Sequence, residues 1–377
     1  MSPCPWPQTT GLEGWLRSFL QGTWLGRNVV RAFWKILGDD AIALNKLHDH
    51  PETKKLVPWR GAFEVGNCLS IHNYPSSFFD LVRQGKIKVV IDEVQSFKEG
   101  RELLLKSGDK LEVDAVVCAT GWEVANTLRF EPESLEKELG LPTVRQILKS
   151  PGSLHALSPR YLHPQPDVTS LETTRLTDIP LQTNPLGPEE EALIHRTESN
   201  LLEQYPVLQR DTSRTNHLDP ALRHTQTPNT SQQPYRFHRF MVPPAFLHSH
   251  SIAFAGSLYC LGSFPLAYIQ SLWISAYFDD KLSLPFEADE KVVEKVYRDT
   301  QYCVLRTAGG GYGRTAPDVV FDSLPYFDVL LRDLGLEARR KGEWWKEIVA
   351  SYGPEDWRGL VAEWEMKQDQ IDQKKTV

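Results

Sequence analysis

From Ser251 to Phe278 the chain runs without one charged side chain, and this stretch constrains the fold more than any other. An uncharged run of that length is either a membrane span or polypeptide that must be covered on most sides. Gly256, Gly262, Pro265 and several serines interrupt it. It therefore reads as a buried strand, Ser251-Ile252-Ala253-Phe254-Ala255-Gly256, then a loop and a buried helix from Ala267 to Phe278. Leu111 to Cys118 reads as a second strand, continuously apolar in its second half and ending in Ala119-Thr120-Gly121-Trp122. Unbroken apolar strands suit a parallel sheet covered on both faces. A strand that stops at glycine lets a ligand approach the backbone, and ligands of open α/β sheets lie beyond the carboxyl ends of strands. Taken alone, either segment reads as a tight turn; it is the two together, in this order, that point further.

The remainder is mixed. Leu12 to Leu20 and Val29 to Leu37 carry apolar residues at helical spacing, and Asp49 to Lys55 reads as a polar turn. Lys86–Ile91, Val94–Phe97, Leu103–Leu105 and Leu111–Cys118 form a small β-meander with a turn at Ser107-Gly108-Asp109. Residues 150–235 are rich in Pro, Ser, Thr, Gln and Asn and read as an irregular insertion or cap. Inside them Pro188-Glu189-Glu190-Glu191 opens a helix whose Leu193, Ile194, Thr197, Leu201 and Tyr205 share one side. Helices are also expected over 289–305, 324–334, 342–350 and 354–364. A net charge of −7 argues against broad nucleic-acid binding. The five cysteines are widely spaced and form no CxxC, so neither a disulfide framework nor a zinc site is expected. The first residues show no basic region followed by an apolar run, which gives a cytoplasmic protein without a membrane span as the expectation.

Taken together, these segments resemble the flavin-containing monooxygenases and their Baeyer–Villiger relatives. Asp114 to Trp122 is similar to that family's acid-plus-ATG strand, and the preceding meander to the unit that ends its NADPH domain. Phe254-Ala255-Gly256 and the helix after it resemble a late FAD-domain strand, whose helix points its N-terminus towards the flavin. Pro3-Cys4-Pro5-Trp6, the turn at His50-Pro51-Glu52-Thr53-Lys54, and Asp322 to Arg340 resemble a fungal group of the family. The resemblance implies an incomplete α/β, Rossmann-like flavoprotein fold with a helical C-terminal region, truncated at its N-terminus. Residues 1–118 would be a remnant of the NADPH-binding domain and 119–150 the return to the FAD domain. Residues 236–377 would form the C-terminal part of the FAD domain and the helical tail.

It further implies FAD and NADPH as cofactors, and monooxygenation of a small organic substrate, in specialised metabolism. Ala119, Thr120, Gly121, Gly256, Leu266 and Ala267 would lie near the nucleotide; no catalytic residue is assigned. The cofactor supplies the chemistry in such enzymes, so no catalytic triad or carboxylate pair need appear. The sequence contains no GxGxxG turn, the usual cradle for a dinucleotide pyrophosphate. That leaves a second reading: a catalytically inactive homologue serving as a binding or structural protein, with a protein partner completing the fold. Gly311-Tyr312-Gly313-Arg314-Thr315-Ala316 matches GxGxxA formally, but no strand precedes it and Pro317 follows, so it reads as a loop. His48/His50 and His248/His250 read as solvated or capping side chains, not as metal ligands.

Overall fold

The structure, a computed structural model, describes residues 5–6, 11–58, 61–63, 75–98, 100–118, 130–132, 134–141, 144–146, 187–208, 230–232, 234–260, 262–306, 316–343 and 345–376. Most of these are helical. Two compact units divide the chain: Met1–Thr23, Leu128–Arg210 and Asp219–Val377 form the larger, and Trp24–Thr127 with Asp211–Leu218 the smaller.

In the smaller unit the first elements are helices α2 (Trp24–Leu44), α3 (Pro51–Lys54) and α4 (Phe78–Arg83); α1 (Gly11–Gly22) belongs to the larger. Val30 and Trp34 of α2, Leu47, Ala62, Val82, Leu103 and Leu105 are buried apolar side chains of this unit, with Trp34 edge-on to Phe63 at 5.4 Å. The expected polar turn at 49–55 is a one-turn helix. His50 caps it, its Nδ1 accepting from the Glu52 N–H at 3.2 Å, and Pro51 occupies the first turn, where no N–H is needed. Thr53, fully buried, donates to the Leu47 and His50 carbonyls at 3.1 Å each. The Glu52 carboxylate accepts from Lys55 and from the Val89 N–H, and these bonds hold its pKa below the ordinary value.

The meander is present as strands β1 (Val94–Phe97), β2 (Glu102–Leu105) and β3 (Lys110–Glu112), all antiparallel in the order β1-β2-β3. Two expectations around it fail. Lys86–Ile91 is not a strand, and the ladder of the last strand stops at Glu112. Val116 and Val117, expected to be buried on both faces, are 47% and 90% exposed. An apolar strand is buried only where neighbouring strands and a covering layer flank it, and among the described residues no strand pairs with 114–118.

The larger unit comprises α1, α5 (Leu135–Glu138), β4 (Val144–Gln146), α6 (Pro188–Gln204), β5 (Thr230–Gln232), α7 (Ser263–Phe278), α8 (Asp289–Arg306), α9 (Ser323–Asp333), α10 (Lys346–Val349) and α11 (Leu360–Thr376). Strands β4 and β5 pair antiparallel. The parallel sheet expected from the sequence is therefore not found among the described residues. One isolated parallel bridge joins Tyr259 to Asp318.

Helix α6 follows its sequence signals closely. Pro188 sits in the first turn with Glu189, Glu190 and Glu191 at the positive end of the helix dipole, and Ile194, Thr197 and Leu201 are buried. It packs on α8 through polar side chains as well. Tyr297 donates to Glu190 at 2.8 Å and Gln301 to Glu198 at 2.9 Å. Arg236, buried beneath them, donates to Gln301 at 3.1 Å and to Thr300, and its guanidinium lies 4.3 Å from the Tyr297 ring centre. Burial brings its pKa down to about 10.

Helix α7 is apolar all round and packs its Ile269, Leu272, Trp273, Ala276 and Tyr277 into the core, against α9. Trp273 and Tyr277 stack at 5.6 Å. Beside them lies the main buried ion pair. The Arg239 guanidinium donates twice to Asp333, at 2.8 and 3.1 Å, and the Trp273 indole N–H donates to the same carboxylate at 3.0 Å. Trp6 meets Phe240, Tyr302 and Tyr326 edge-on, with ring centres 5.7 to 6.1 Å away. Asp299 is half-buried near Trp6, and desolvation raises its pKa to about 6 against the attraction of Arg239 and Arg298 and a hydrogen bond from Trp6.

Removing one partner of a buried, bidentate ion pair leaves the other desolvated and uncompensated. Asp333→Ala should lower unfolding free energy by about 3–5 kcal/mol in urea titrations; a loss below 1 kcal/mol would show that the pair is not a structural keystone. Asp299 adds a pH dependence of known sign. Its folded pKa lies above the unfolded value, so the folded state holds an extra proton between them, and the stability this confers is lost as pH rises through about 6. Urea midpoints at pH 4.5 and 7 should differ less in Asp299→Asn than in the unsubstituted chain; equal differences in the two proteins would contradict the assignment.

Candidate functional site

The segment expected to be a buried strand, Ser251–Gly256, is extended but belongs to no sheet ladder. Ile252 and Phe254 turn towards the cluster of Leu139, Leu141 and Phe237, with the Phe254 and Phe237 rings stacked at 4.8 Å, and the Phe254 N–H donates to Met241. What the sequence could not show is the neighbour: the segment lies against a tight turn instead of between two strands. In that turn Arg239 and Phe240 both have positive φ, 53° and 57°, in a region side chains enter at a cost of roughly 1–2 kcal/mol each. The turn is held by its environment. Tyr326 donates to the Arg239 carbonyl at 2.8 Å and Ser257 to the Phe240 carbonyl at 2.6 Å.

Gly256 sits at the end of the extended segment with φ of +74°, and a Cβ there would meet nothing within 4 Å. Glycine is therefore demanded by backbone conformation, not by lack of space. Its N–H donates to the Gln270 side chain at 3.0 Å, and Gln270 donates onward to the Tyr326 hydroxyl at 2.9 Å. Burial pushes the Tyr326 phenol well above its ordinary pKa, so it stays a neutral donor. One connected path thus runs from the Gly256 amide through Gln270 and Tyr326 to the Arg239 carbonyl. The side chain of Arg239 continues it to Asp333 and Trp273.

The following helix, α7, begins at Ser263, four residues before the expected Ala267. Gly262 is its N-cap and no side chain caps it; the first bond within the helix runs from the Leu266 N–H to the Gly262 carbonyl at 2.9 Å. Ser263 and Phe264 in the first turn are exposed, as is Ala267, and no acid stands in that turn. The end of a helix of this length is electropositive and suits an anionic group. Among the six residues singled out from the sequence, Ala119, Thr120 and Gly121 lie outside the described residues. Gly256, Leu266 and Ala267 are brought together in the larger unit. Leu266 shares the buried face of α7 with Gln270, one turn on, so its side chain serves the core; Ala267 faces outwards.

The residues fit an anionic ligand only at the first turn of α7, because the Gly256 amide is already engaged by Gln270. Gln270, Tyr326, Arg239 and Asp333 were not foreseen; the one signal for them was a lone amide side chain in an otherwise charge-free helix. His248 pairs with Asp289 at 2.7 Å, both exposed, and His250 contacts the Tyr277 carbonyl and stacks on its ring. Among the described residues no group of three or more His, Cys, Asp and Glu side chains could hold a metal. Among the described residues Cys118, Cys260 and Cys303 form no disulfide, and no described helix is long and apolar enough to cross a membrane.

Comparison with known proteins gives a distant relationship. The chain is 26% identical over 370 residues to the FAD-dependent monooxygenase rstn6 of Aspergillus nomiae, a match that takes in 96% of this chain and 55% of that protein. It is 26% identical to the FAD-dependent monooxygenase resA of Aspergillus sclerotiorum, over 93% of this chain and 53% of that one. With the FAD-dependent monooxygenase DEP4 of Alternaria brassicicola the identity is 24%, over 96% and 54%. The chain spans about half the length of these relatives. No family model and no solved structure matches it. It is related to fungal FAD-dependent monooxygenases over most of its own length.

Gln270→Leu keeps the volume and removes both hydrogen bonds of the path. Exchange of the Gly256 amide with deuterated water should then accelerate at least tenfold, with a stability loss of about 1 kcal/mol. An unchanged exchange rate would show that the Gln270 contact does not hold the Gly256 loop.

Proposed function

We propose that the chain supplies the flavin-facing, helix-rich part of an FAD-dependent, NAD(P)H-using monooxygenase that acts on a small organic substrate in specialised metabolism. The observation that carries this reading is the match over nearly the whole chain to proteins named FAD-dependent monooxygenase. The uncapped first turn of α7 agrees with it, offering backbone N–H groups and the positive end of a helix to an anionic or electron-rich part of a cofactor. FAD, when bound, would activate dioxygen after reduction by NAD(P)H. The chain's own contribution would be placement. Gly262 leaves the first turn of α7 open to the ligand, and the Gln270–Tyr326–Arg239 path holds Gly256 beside it. Ala119, Thr120 and Gly121, at the end of the second apolar segment, are proposed to lie near nucleotide on the strength of the resemblance alone.

The absence of a GxGxxG turn from the sequence favours a second reading, a catalytically inactive homologue that binds or scaffolds. The two readings part on flavin. The purified chain, titrated with FAD, should quench flavin fluorescence saturably and retain a yellow colour through gel filtration, and Ser263→Glu should weaken uptake at least tenfold by placing a carboxylate at the first turn of α7. A folded, colourless protein that leaves FAD fluorescence unchanged at saturating concentration would overturn the enzyme reading in favour of the second.

A further inference from the structure

Phe286 is the one aromatic side chain of the loop 279–288 between α7 and α8, and histidines crowd it. The ring centres of His238, His248 and His250 lie 5.7, 6.0 and 6.3 Å from its own, and that of Tyr277 lies 6.1 Å away. A neutral imidazole packs on such a ring as a flat, partly apolar group, whereas an imidazolium in the same place needs water or a carboxylate. The seat of Phe286 therefore depends on histidine charge. The three histidines face different neighbours. His248 is exposed and pairs at 2.7 Å with Asp289 at the start of α8. His250, half-buried, contacts the Tyr277 carbonyl near the end of α7 and lies 3.9 Å from Asp280. A proton on either adds attraction to a carboxylate. His238 is buried and meets Trp273 of α7 as well as Phe286. The charges that act on it are both positive, Arg239 in its own turn and Lys295 on α8. Each of those cations has its own carboxylate, Asp333 for Arg239 and Glu287 for Lys295. Lys291 and Asp299, the other α8 groups that act on these partners, carry opposite signs.

We infer that the loop 279–288 is a latch that acid opens: Phe286 closes over neutral His238, and a proton on His238 is accommodated only once Phe286 has left and water has entered. Burial, and then the two cations, hold the His238 pKa well below its ordinary value of 6.5. The closed state thus excludes a proton that the open state accepts. Closure is fully favoured above pH 6.5 and weakens as pH falls below it. Asp299 acts in the opposite sense, stabilising the fold in acid, and Glu287, whose pKa the Lys295 bond lowers from 4.5, remains ionised in this window. Neither can produce an acid opening. The latch is independent of flavin uptake by this chain.

The Ser283 N–H, which donates to the Asp333 carbonyl at 2.7 Å, reports whether the loop is closed. Hydrogen–deuterium exchange of the full chain at pH 7.5 and 5.5, read as protection factors so that the intrinsic pH dependence of exchange cancels, is the test. Protection of Ser283 should fall about tenfold over that step, the ratio set by one proton that only the open state binds near pH 6.5. Protection of the Leu272 and Trp273 amides inside α7 should hold. His238→Phe, which keeps a ring and loses the proton site, should reduce the step to less than twofold, and His248→Gln with His250→Gln should leave it in place. Constant Ser283 protection in the unsubstituted chain overturns the inference. So does an equal loss throughout α7, which is global destabilisation, or a step that survives His238→Phe or disappears with the double substitution. If His238→Phe does not fold, the His238 imidazole resonance of the unsubstituted chain decides: a titration midpoint below 6.5 agrees, and one at or above it contradicts the latch.

Discussion

The Asp333 carboxylate holds the larger unit's buried polar structure together. It receives two hydrogen bonds from Arg239 and one from Trp273, and so ties the end of α9 to the middle of α7 and to the turn at 238–242. A charge pair in such a place is favourable only when its hydrogen bonds are nearly complete, and this one approaches that state. Its consequence is positional. With Arg239 pinned by its side chain, its carbonyl can accept from Tyr326 while its backbone stays at positive φ, and Tyr326 in turn fixes Gln270 and the Gly256 amide. The Gly256 amide is thereby held by side chains that are buried, as Gln270, Tyr326 and Asp333 are, or mostly so, as Arg239 is.

Much of the helical structure was legible in the sequence because its signals are local. Pro188 and the three glutamates after it mark the start of α6, and Asp289 with Glu290 marks that of α8. The β-meander was legible for the same reason, since its strands are neighbours in sequence. The two segments read as buried parallel strands were misjudged because their signal is a demand for cover, and cover is a long-range property. Ile252 and Phe254 found it in an aromatic cluster. Val116 and Val117 did not find it among the described residues. Around the candidate site the sequence placed a glycine and a following helix, whose start lies four residues earlier than expected, while Arg239, Tyr326 and Asp333 come from segments whose convergence no spacing announces.

The same physics connects the fold to the relatives. Apolar side chains along α2 and at 116–117 are exposed among the described residues, and the chain spans about half the length of the monooxygenases it matches. The exposed apolar face of α2 belongs to the smaller unit and the first turn of α7 to the larger, so the two features are separable.

The central claim is that the first turn of α7 and the loop before it face the cofactor. Hydrogen–deuterium exchange of the chain with and without saturating FAD tests it most directly. The account predicts slowed exchange over residues 256–266, with the amides of Ser263 and Phe264 included. Protection confined to other segments, or none at all, would contradict it.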